Sequence, residues 1–290
     1  MDLKNSHIMT AMVTPFGKDG NVDYELLKKL IDHLLSTGTD GILVSGTTGE
    51  GPTLTEEEKI ELIEKTVEYV AGRVPVVAGT GSNNTKATIE YTNKVAKIDG
   101  VDAALVVVPY YNKPDQAGMI AHFTAVADNV DLPIVMYNIP GRTGVTMEVK
   151  TIAELSKHQN IIGIKDCTGI VNMAEIVANT PDDFLAFTGE DDDALAARNV
   201  GAQGVISVAS HLFGKEISQM YAANSKGDNE IAGELMRDLT PKMKALFSHP
   251  SPSPVKAALN HVGIEVGGCR LPILALDDAQ ASVLFNQLGI

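Results

Sequence analysis

One lysine closes a short apolar stretch, where its amine is suited to covalent chemistry. Lys165 directly follows the apolar residues 161–164 and precedes an aspartate. Partial burial of an amine at such a position disfavours its charged form and supplies the lone pair that attack on a carbonyl carbon requires. The alternative is a strand-terminal lysine whose amine reaches solvent, and position alone does not separate the two. Lys165 is therefore a candidate nucleophile that forms an imine.

A lysine that forms an imine needs groups that move protons as water leaves. Tyr137 ends the apolar run before that of Lys165, and its phenol can both donate and accept a proton. Thr47, in a Gly-Thr-Thr-Gly turn after another run, could hydrogen-bond to that phenol. Each residue alone could be structural, one an interior aromatic and the other a turn residue. Together at neighbouring strand ends with Lys165, they indicate a proton relay.

Two features suit a carboxylic acid substrate. Arg142 lies in a Pro-Gly-Arg turn, and its planar guanidinium matches a carboxylate. The turn at 46–49 offers backbone N–H groups and hydroxyls just before a helix, where an anion binds favourably. A surface arginine without a ligand is the alternative for Arg142.

Other motifs are less informative. Gly79-Thr80-Gly81 begins like a dinucleotide fingerprint but lacks the third glycine. The aspartates at 191–193 could bind a metal, but we expect them to place negative charge at the start of a helix. Cys167 and Cys269 are expected to be buried and unpaired, and the scattered histidines support no metal site.

The elements that must position these residues follow a regular pattern. Apolar runs bounded by Gly, Pro, Asn or Asp are predicted to be buried parallel strands at 8–13, 41–45, 75–78, 103–108, 133–137, 161–165, 184–188 and 204–208. Amphipathic patterns predict helices at 22–36, 55–70, 84–98, 117–129, 149–156, 172–179 and 194–200. Strand-helix repeats at intervals of about 25–35 residues are typical of βαβ units, and eight of them favour a closed (β/α)8 TIM barrel over an open sheet.

The last part of the chain has a different pattern. Helices are predicted at 229–248, 255–261 and 277–288, with a Pro-rich turn after the first of them. No flexible linker precedes them, so a separate binding domain is disfavoured. We expect residues 1–225 to form a catalytic (β/α)8 barrel and residues 226–290 a C-terminal helical region packed on it.

Composition and net charge disfavour some classes of binding partner. The net charge of −14 would repel the phosphates of nucleic acids and anionic membrane surfaces. Hydrophobic residues make up 44% and charged residues 21%, as in ordinary folded proteins. The sequence also lacks a secretory segment and a run of about 20 apolar residues. We therefore expect a cytoplasmic enzyme whose partners are small-molecule substrates, with no nucleic acid and no membrane.

Four motifs together resemble a known family. They are Gly-Thr-Thr-Gly-Glu at 46–50, Pro-Tyr-Tyr-Asn at 109–112, Tyr-Asn-Ile-Pro-Gly-Arg-Thr-Gly at 137–144 and Ile-Lys-Asp at 164–166. The resemblance extends from Thr-Pro-Phe at 14–16 to Arg-Leu-Pro at 270–272. The sequence is similar to the pyruvate-dependent lyases that include N-acetylneuraminate lyase and dihydrodipicolinate synthase, and within them to the dihydrodipicolinate synthase family.

This resemblance implies a reaction and its catalytic residues. Pyruvate would condense with L-aspartate 4-semialdehyde to 4-hydroxy-tetrahydrodipicolinate, the first committed step of diaminopimelate and lysine biosynthesis. Lys165 matches the lysine that forms the Schiff base with pyruvate, so no cofactor and no metal are expected. Tyr137, Thr47 and Tyr111 match a proton relay, to which Tyr111 is contributed by a neighbouring subunit.

The same resemblance assigns the binding residues. Thr48 matches the residue that holds the pyruvate carboxylate, and Arg142 matches the one that binds the semialdehyde carboxylate. Gly189 and Ile206 match positions that line the pocket near the lysine. A homo-oligomer is implied, and we expect a tetramer built as a dimer of dimers.

Related activities remain as alternatives. Sialic acid lyases usually carry Ser-Thr in place of Thr47-Thr48 and lack the arginine at position 142. A 2-keto-3-deoxy sugar-acid aldolase or an N-acetylneuraminate aldolase could use the same lysine imine. A catalytically inactive binding barrel is disfavoured by the intact set of lysine, tyrosine and threonine.

The same resemblance leads to an expectation about inhibition by lysine. Lysine-inhibited relatives carry two histidines and a glutamate where this chain has Glu56, Lys59 and Ala87, although Asn83 and Tyr110 are retained. The sequence therefore predicts weak or absent inhibition by lysine.

Overall fold

A closed barrel of parallel strands forms the centre of the protein. The computed structural model describes residues 3–290. Each strand pairs with its successor in the sequence, and β8 pairs with β1, which closes the barrel. The strands are β1 (Ile8–Ala11), β2 (Gly41–Val44), β3 (Val76–Gly79), β4 (Ala103–Val107), β5 (Ile134–Asn138), β6 (Ile161–Asp166), β7 (Leu185–Thr188) and β8 (Gly204–Ser207). The predicted (β/α)8 TIM barrel is confirmed, and every predicted strand lies within two residues of an observed one.

The strand sequences are apolar throughout because both of their faces are covered. Residues on one face fill the barrel interior, and residues on the other face pack against the surrounding helices. The interior cluster includes Leu43, Val77, Leu105, Tyr137, Phe187 and Ile206. Tyr137 and Ile206 therefore share the interior on which the candidate site is built.

Helices surround the barrel, and most of them were predicted from the sequence. They are α1 (Tyr24–Ser36), α2 (Glu56–Val70), α3 (Thr85–Val95), α4 (Gln116–Asp128), α5 (Pro140–Thr143), α6 (Val149–Leu155), α7 (Ile170–Asn179), α8 (Ala194–Asn199), α9 (Ser210–Ser225), α10 (Asn229–Ala245), α11 (Ser253–His261) and α12 (Asp278–Leu288). Helix α2 begins with a capping box, in which Thr55 and Glu58 each accept from the other's backbone N–H.

Two helices were not predicted. Helix α5 is a single turn inside the segment interpreted as a Pro-Gly-Arg loop. Helix α9 buries polar and small residues, including Ser210, His211 and Gly214, and is kinked at Phe213. The shortness of α5 and the buried polar residues of α9 both obscure the apolar periodicity from which a helix is recognised in a sequence.

Helices within residues 226–290 contact helices of the barrel. Helix α10 lies against α9, and α12 lies against α10 and α11. The loop that follows α11 reaches the start of the chain's first long loop, where the Phe16 N–H donates to the Val266 carbonyl at 3.1 Å. None of the helices within residues 3–290 is long and apolar enough to span a bilayer.

Candidate active site

Strand pairing brings Lys165 and Tyr137 together. They are direct partners in the register of β5 and β6, so their side chains leave the sheet on the same side. The Lys165 amine lies 4.6 Å from the centre of the Tyr137 ring. Lys165 is 6% exposed and Tyr137 is 5% exposed. The predicted pair of nucleophile and phenol is thus assembled at the carboxyl ends of adjacent strands.

The charge state of Lys165 differs from the expectation. Burial alone lowers the pKa of Lys165, as the sequence suggested, but acidic neighbours outweigh it and leave the pKa above its ordinary value. These neighbours, in decreasing order of influence, are Tyr137, Cys167, Asp191 and Glu190. The prediction of a depressed pKa was therefore wrong in direction, because it counted burial without the acidic groups around the amine, of which Tyr137 and Cys167 have the largest effects.

Tyr137 is held in its neutral form. Burial raises the pKa of Tyr137, while the charges of Lys165 and Arg142 and a hydrogen bond from the Thr47 hydroxyl act in the opposite direction. Near neutral pH the phenol is protonated, so it can donate a proton to a leaving hydroxyl. Thr47 lies beside it, as the sequence predicted.

The turn after β2, residues 46–50 and hereafter the β2 turn, carries both threonines. The Glu50 N–H donates to the Thr47 carbonyl at 3.0 Å, and the Gly51 N–H donates to the Gly46 carbonyl at 3.1 Å. Thr48 is 7% exposed, and within residues 3–290 its N–H has no hydrogen-bond acceptor. An N–H group without an acceptor in the protein is available to a ligand, so Thr48 suits a bound carboxylate.

Gly189 and Ile206 also lie where the sequence placed them. Gly189 follows β7, and a Cβ atom at this position would lie 2.6 Å from the Cε of Lys165. Only glycine leaves room there for the lysine side chain. Ile206 is 1% exposed in β8 and belongs to the same interior cluster as Tyr137.

A cleft of about 450 Å³ opens from this interior toward solvent. Its walls include Thr47, Tyr137 and Arg142, which supports their assignment to one site. Arg142 is exposed on α5, and within residues 3–290 it makes no salt bridge with a carboxylate. Its guanidinium is thus available to an acidic substrate.

The segment that carries Arg142 is fixed by a buried residue that the sequence did not single out. The Asn138 side chain donates to the Met147 carbonyl at 3.1 Å and accepts from the Met147 N–H at 3.0 Å. It also donates to Asp166 at 2.8 Å. Asp166 is in turn bonded to Thr168, so both strand ends are locked beside Tyr137 and Lys165. The available signals were the motif at 137–144, which contains Asn138, and the Ile-Lys-Asp motif at 164–166.

Tyr111 is the one predicted catalytic residue that lies apart from the cleft. Its side chain is 88% exposed and its backbone adopts a left-handed conformation, with φ of 72°. The neighbouring Tyr110 lines the cleft instead, and its carbonyl accepts from Asn83 at 3.1 Å. The Tyr111 side chain is therefore not part of the cleft wall in its own chain.

Two other expectations need correction. Asp191 does not simply stabilise the start of a helix: it is 3% exposed and accepts from the N–H groups of Val208 and Ala209 at 3.1 and 2.9 Å. Cys167 and Cys269 are free but only half-buried. Cys167 lies next to the side chain of Lys165, since the same Cβ at position 189 would contact both.

The positions linked to lysine inhibition also line the cleft. Glu56, Lys59 and Ala87 form its wall between α2 and α3. Glu56 is paired with Lys94. Burial lowers the pKa of Lys59, and Glu56 partly opposes this shift.

Known proteins resemble this chain over nearly its whole length. The profile of the Dihydrodipicolinate synthetase family matches residues 4–288. A 4-hydroxy-tetrahydrodipicolinate synthase of Ligilactobacillus salivarius is 63% identical over 290 residues, covering 100% of both chains. The crystal structure of a dihydrodipicolinate synthase from Bacillus anthracis is 47% identical with a TM-score of 0.96, covering 98% of this chain and 97% of the other. A synthase from Cyanidioschyzon merolae with lysine bound is 41% identical with a TM-score of 0.94, covering 99% of each chain. The chain belongs to the dihydrodipicolinate synthetase family.

Proposed function

We propose that this enzyme condenses pyruvate with L-aspartate 4-semialdehyde to 4-hydroxy-tetrahydrodipicolinate, through an imine on Lys165. The observation that carries the proposal is the buried amine of Lys165 at 4.6 Å from the ring of Tyr137. A nucleophilic amine beside a protonated phenol is what imine formation requires. The names of the relatives favour this substrate pair over sugar-acid aldolase chemistry.

The first half of the proposed cycle is addition to pyruvate. The ammonium of Lys165 first loses a proton, and the free amine then attacks the ketone carbon to give a carbinolamine. Tyr137 donates its proton to the departing hydroxyl, so that water leaves and an iminium ion forms. Thr48 and the backbone of the β2 turn hold the pyruvate carboxylate, which orients the ketone toward the amine.

The second half forms the carbon–carbon bond. Loss of a methyl proton converts the iminium ion to an enamine, whose carbon attacks the aldehyde of the second substrate. Arg142 binds the carboxylate of that substrate at the cleft mouth. The amino group of the product then attacks the imine carbon and displaces Lys165, which closes the ring. The protonated imine serves as the electron sink, so we propose no further cofactor.

We also propose that the active site is shared between subunits. Tyr111 of one subunit would extend the relay of Thr47 and Tyr137 in its neighbour, because its own side chain is 88% exposed and outside the cleft. A homotetramer in the cytoplasm is the assembly and location we propose.

Chemical trapping tests the imine. Borohydride added with pyruvate should reduce the imine to a stable secondary amine, and peptide mass mapping should place the added mass on Lys165. Reduction without pyruvate, and reduction of a Lys165→Met variant with pyruvate, are the controls. A label on any other lysine would contradict the mechanism.

A comparison of substrates tests the reaction. The rate with pyruvate and aspartate semialdehyde should greatly exceed the cleavage rates of N-acetylneuraminate and 2-keto-3-deoxygluconate. Arg142→Ala should weaken the semialdehyde step by about 2–4 kcal/mol if the ion pair with substrate is desolvated. Preferential cleavage of either sugar acid would favour the aldolase alternative.

Mixed oligomers test the shared site. Lys165→Met and Tyr111→Phe subunits are each expected to have low activity when assembled alone. Joined in one oligomer, some sites combine an intact Lys165 with an intact Tyr111 from the neighbour, so activity should return. Absence of recovery in verified mixed oligomers would place Tyr111 outside the relay.

A further inference from the structure

The C-terminal helical region reaches the candidate pyruvate site through one buried ion pair. We propose that Glu50 and Lys256 are positioning residues that hold the β2 turn, and with it Thr47 and Thr48, in the conformation that binds pyruvate. This inference rests on the proposed function. It makes the last part of the chain a component of the active site.

The ion pair is fully enclosed. The Lys256 amine donates to one carboxylate oxygen of Glu50 at 2.6 Å and to the Gly268 carbonyl at 2.6 Å. Both side chains of the pair are 2% exposed. The other carboxylate oxygen of Glu50 accepts from the Arg270 N–H at 2.8 Å. Every one of these partners of Glu50 belongs to the C-terminal region, although Glu50 itself ends the β2 turn.

A second layer of contacts fixes the cations. The Lys256 amine lies 4.2 Å from the ring centre of Phe16, and the Arg270 guanidinium lies 4.5 Å from it. Arg270 also pairs with Glu58 of α2 at 2.6 Å. Two cations and two carboxylates thus form a compact cluster around one aromatic ring, and no charge in it lacks a partner of opposite sign.

The backbone of the β2 turn needs such a restraint. Glu50 adopts a left-handed conformation with φ of 54°, and Ser45 at the other end has φ of 57°. These conformations are strained for residues other than glycine and persist where surrounding contacts enforce them. The Glu50 N–H donates to the Thr47 carbonyl, so a shift of Glu50 would move Thr47 directly.

A purely structural role is the alternative, in which the ion pair only attaches α11 to the barrel. Buried ion pairs generally add little stability compared with well-packed apolar residues, and in some proteins they specify geometry. The two roles predict different measurements. A structural attachment changes stability alone, whereas a positioning pair changes pyruvate binding through the turn.

The experiment replaces members of the pair and measures each substrate separately. Lys256→Met should raise the KM for pyruvate and lower the yield of trapped imine by about tenfold or more, while the KM for the semialdehyde changes by less than about threefold. Asn260→Ala is the matched control, because Asn260 lies on the same helix and bonds to Val266 and Gly267 without touching Glu50. It should leave the pyruvate KM unchanged.

Coupling to the turn separates positioning from stability. If Lys256 acts through the β2 turn, the effects of Lys256→Met and Thr48→Val on pyruvate KM should be strongly non-additive. Additive effects, or a folded Lys256→Met enzyme with the wild-type KM, would overturn the proposal.

A milder variant covers the case in which Lys256→Met does not fold. Glu50→Asp keeps the charge but shortens the side chain, so it should fold and still raise the pyruvate KM by several-fold. A wild-type KM in that folded variant would also overturn the proposal. Failure of the proposed function would instead show as absence of the pyruvate imine on Lys165 in the wild-type enzyme.

Discussion

At the scale of single residues, neighbours from distant parts of the chain decide what each side chain does. The sequence identified Lys165 from its position after an apolar run, and the structure supports that position. Its charge state was predicted wrongly, because the sequence interpretation counted burial alone and not the acidic groups around the amine, of which Tyr137 and Cys167 have larger effects than Asp191 and Glu190. Near neutral pH the phenol of Tyr137 is uncharged, since burial raises its pKa. The resting lysine is therefore an ammonium that must lose a proton before it attacks.

Gly189 offers a sharp test of the space around Lys165. In Gly189→Ala, the new methyl group would lie 2.6 Å from the lysine Cε and would also overlap the Cys167 Sγ, so the side chains around the lysine must move. We expect imine trapping to slow by about tenfold or more, equivalent to roughly 1.4 kcal/mol. Gly233→Ala is the control, because the new methyl group there meets only the end of the flexible Arg237 side chain. Equal activity of the two variants would show that the pocket has unoccupied space beside the lysine.

His211 should make the fold sensitive to acid. It is fully buried, its Nε2 accepts from the Val13 N–H at 3.1 Å, and burial lowers its pKa from 6.5 to about 4. Since the unfolded chain takes up a proton near pH 6.5 and the folded chain does not, this histidine contributes stability above that pH. The contribution is lost progressively as the pH falls from about 6.5 toward 4.

Urea unfolding at two pH values measures this effect. When the pH falls from 7 to 5, the free energy of unfolding should decrease in both proteins. The decrease should be smaller in His211→Asn than in the wild type, by up to about 2 kcal/mol. His158→Gln is the control, since His158 is paired with Asp128 near the surface. A wild-type pH dependence in His211→Asn would assign the acid sensitivity to other groups, of which the buried His122 is the first candidate.

At the scale of elements, periodicity predicted the strands and most helices because their burial is regular. All eight strands are buried on both faces, so their sequences are continuous apolar runs. Helix α9 was missed because it buries Ser210 and His211, whose hydrogen bonds replace apolar contacts. The clamp of Asn138 on Met147 was also invisible, since nothing in the residue types reveals which carbonyl an asparagine will reach.

The clamp predicts selective damage to the second substrate's site. Asn138→Ala removes both hydrogen bonds to Met147 and one to Asp166, which loosens the segment that carries Arg142. We expect the semialdehyde KM to rise by a factor that corresponds to about 1–3 kcal/mol. The pyruvate KM should change less, because Thr48 lies on a different loop. Asn179→Ala, which removes one surface hydrogen bond to the Glu175 carbonyl, is the control. Equal changes for both substrates would point to a general loss of order.

At the scale of the whole molecule, the sequence predicted the barrel and the carboxyl ends of its strands as the site. The contact of residues 226–290 with the β2 turn was not predicted. The Glu50–Lys256 pair joins residues 206 positions apart, and no local pattern reports such a contact. The role proposed for Tyr111 likewise depends on a neighbouring subunit, which a single chain does not contain.

Regulation by lysine belongs to this scale. Lys59 places a cation in the cleft wall, Glu56 is engaged by Lys94, and Ala87 offers no carboxylate. We expect lysine at about 1 mM to lower the steady-state rate by less than about half. A dissociation constant of about 1 mM would correspond to a binding free energy of roughly −4 kcal/mol. The combined variant Glu56→His, Lys59→His and Ala87→Glu should gain sensitivity. Strong inhibition of the wild type would contradict the prediction.

Two walls of the cleft differ in how well they tolerate substitution, because the backbone around the β2 turn is closely packed. On one side, a methyl group at Gly51 would lie 2.7 Å from the Ser45 carbonyl, and one at Gly49 would lie 3.0 Å from the Met12 carbonyl. Backbone cannot yield there as a flexible side chain would, so mutation of this wall is strongly restricted. The opposite wall at Glu56, Lys59 and Ala87 consists of side chains on helix surfaces. Descendants of this enzyme can thus acquire or lose effectors while their chemistry stays unchanged.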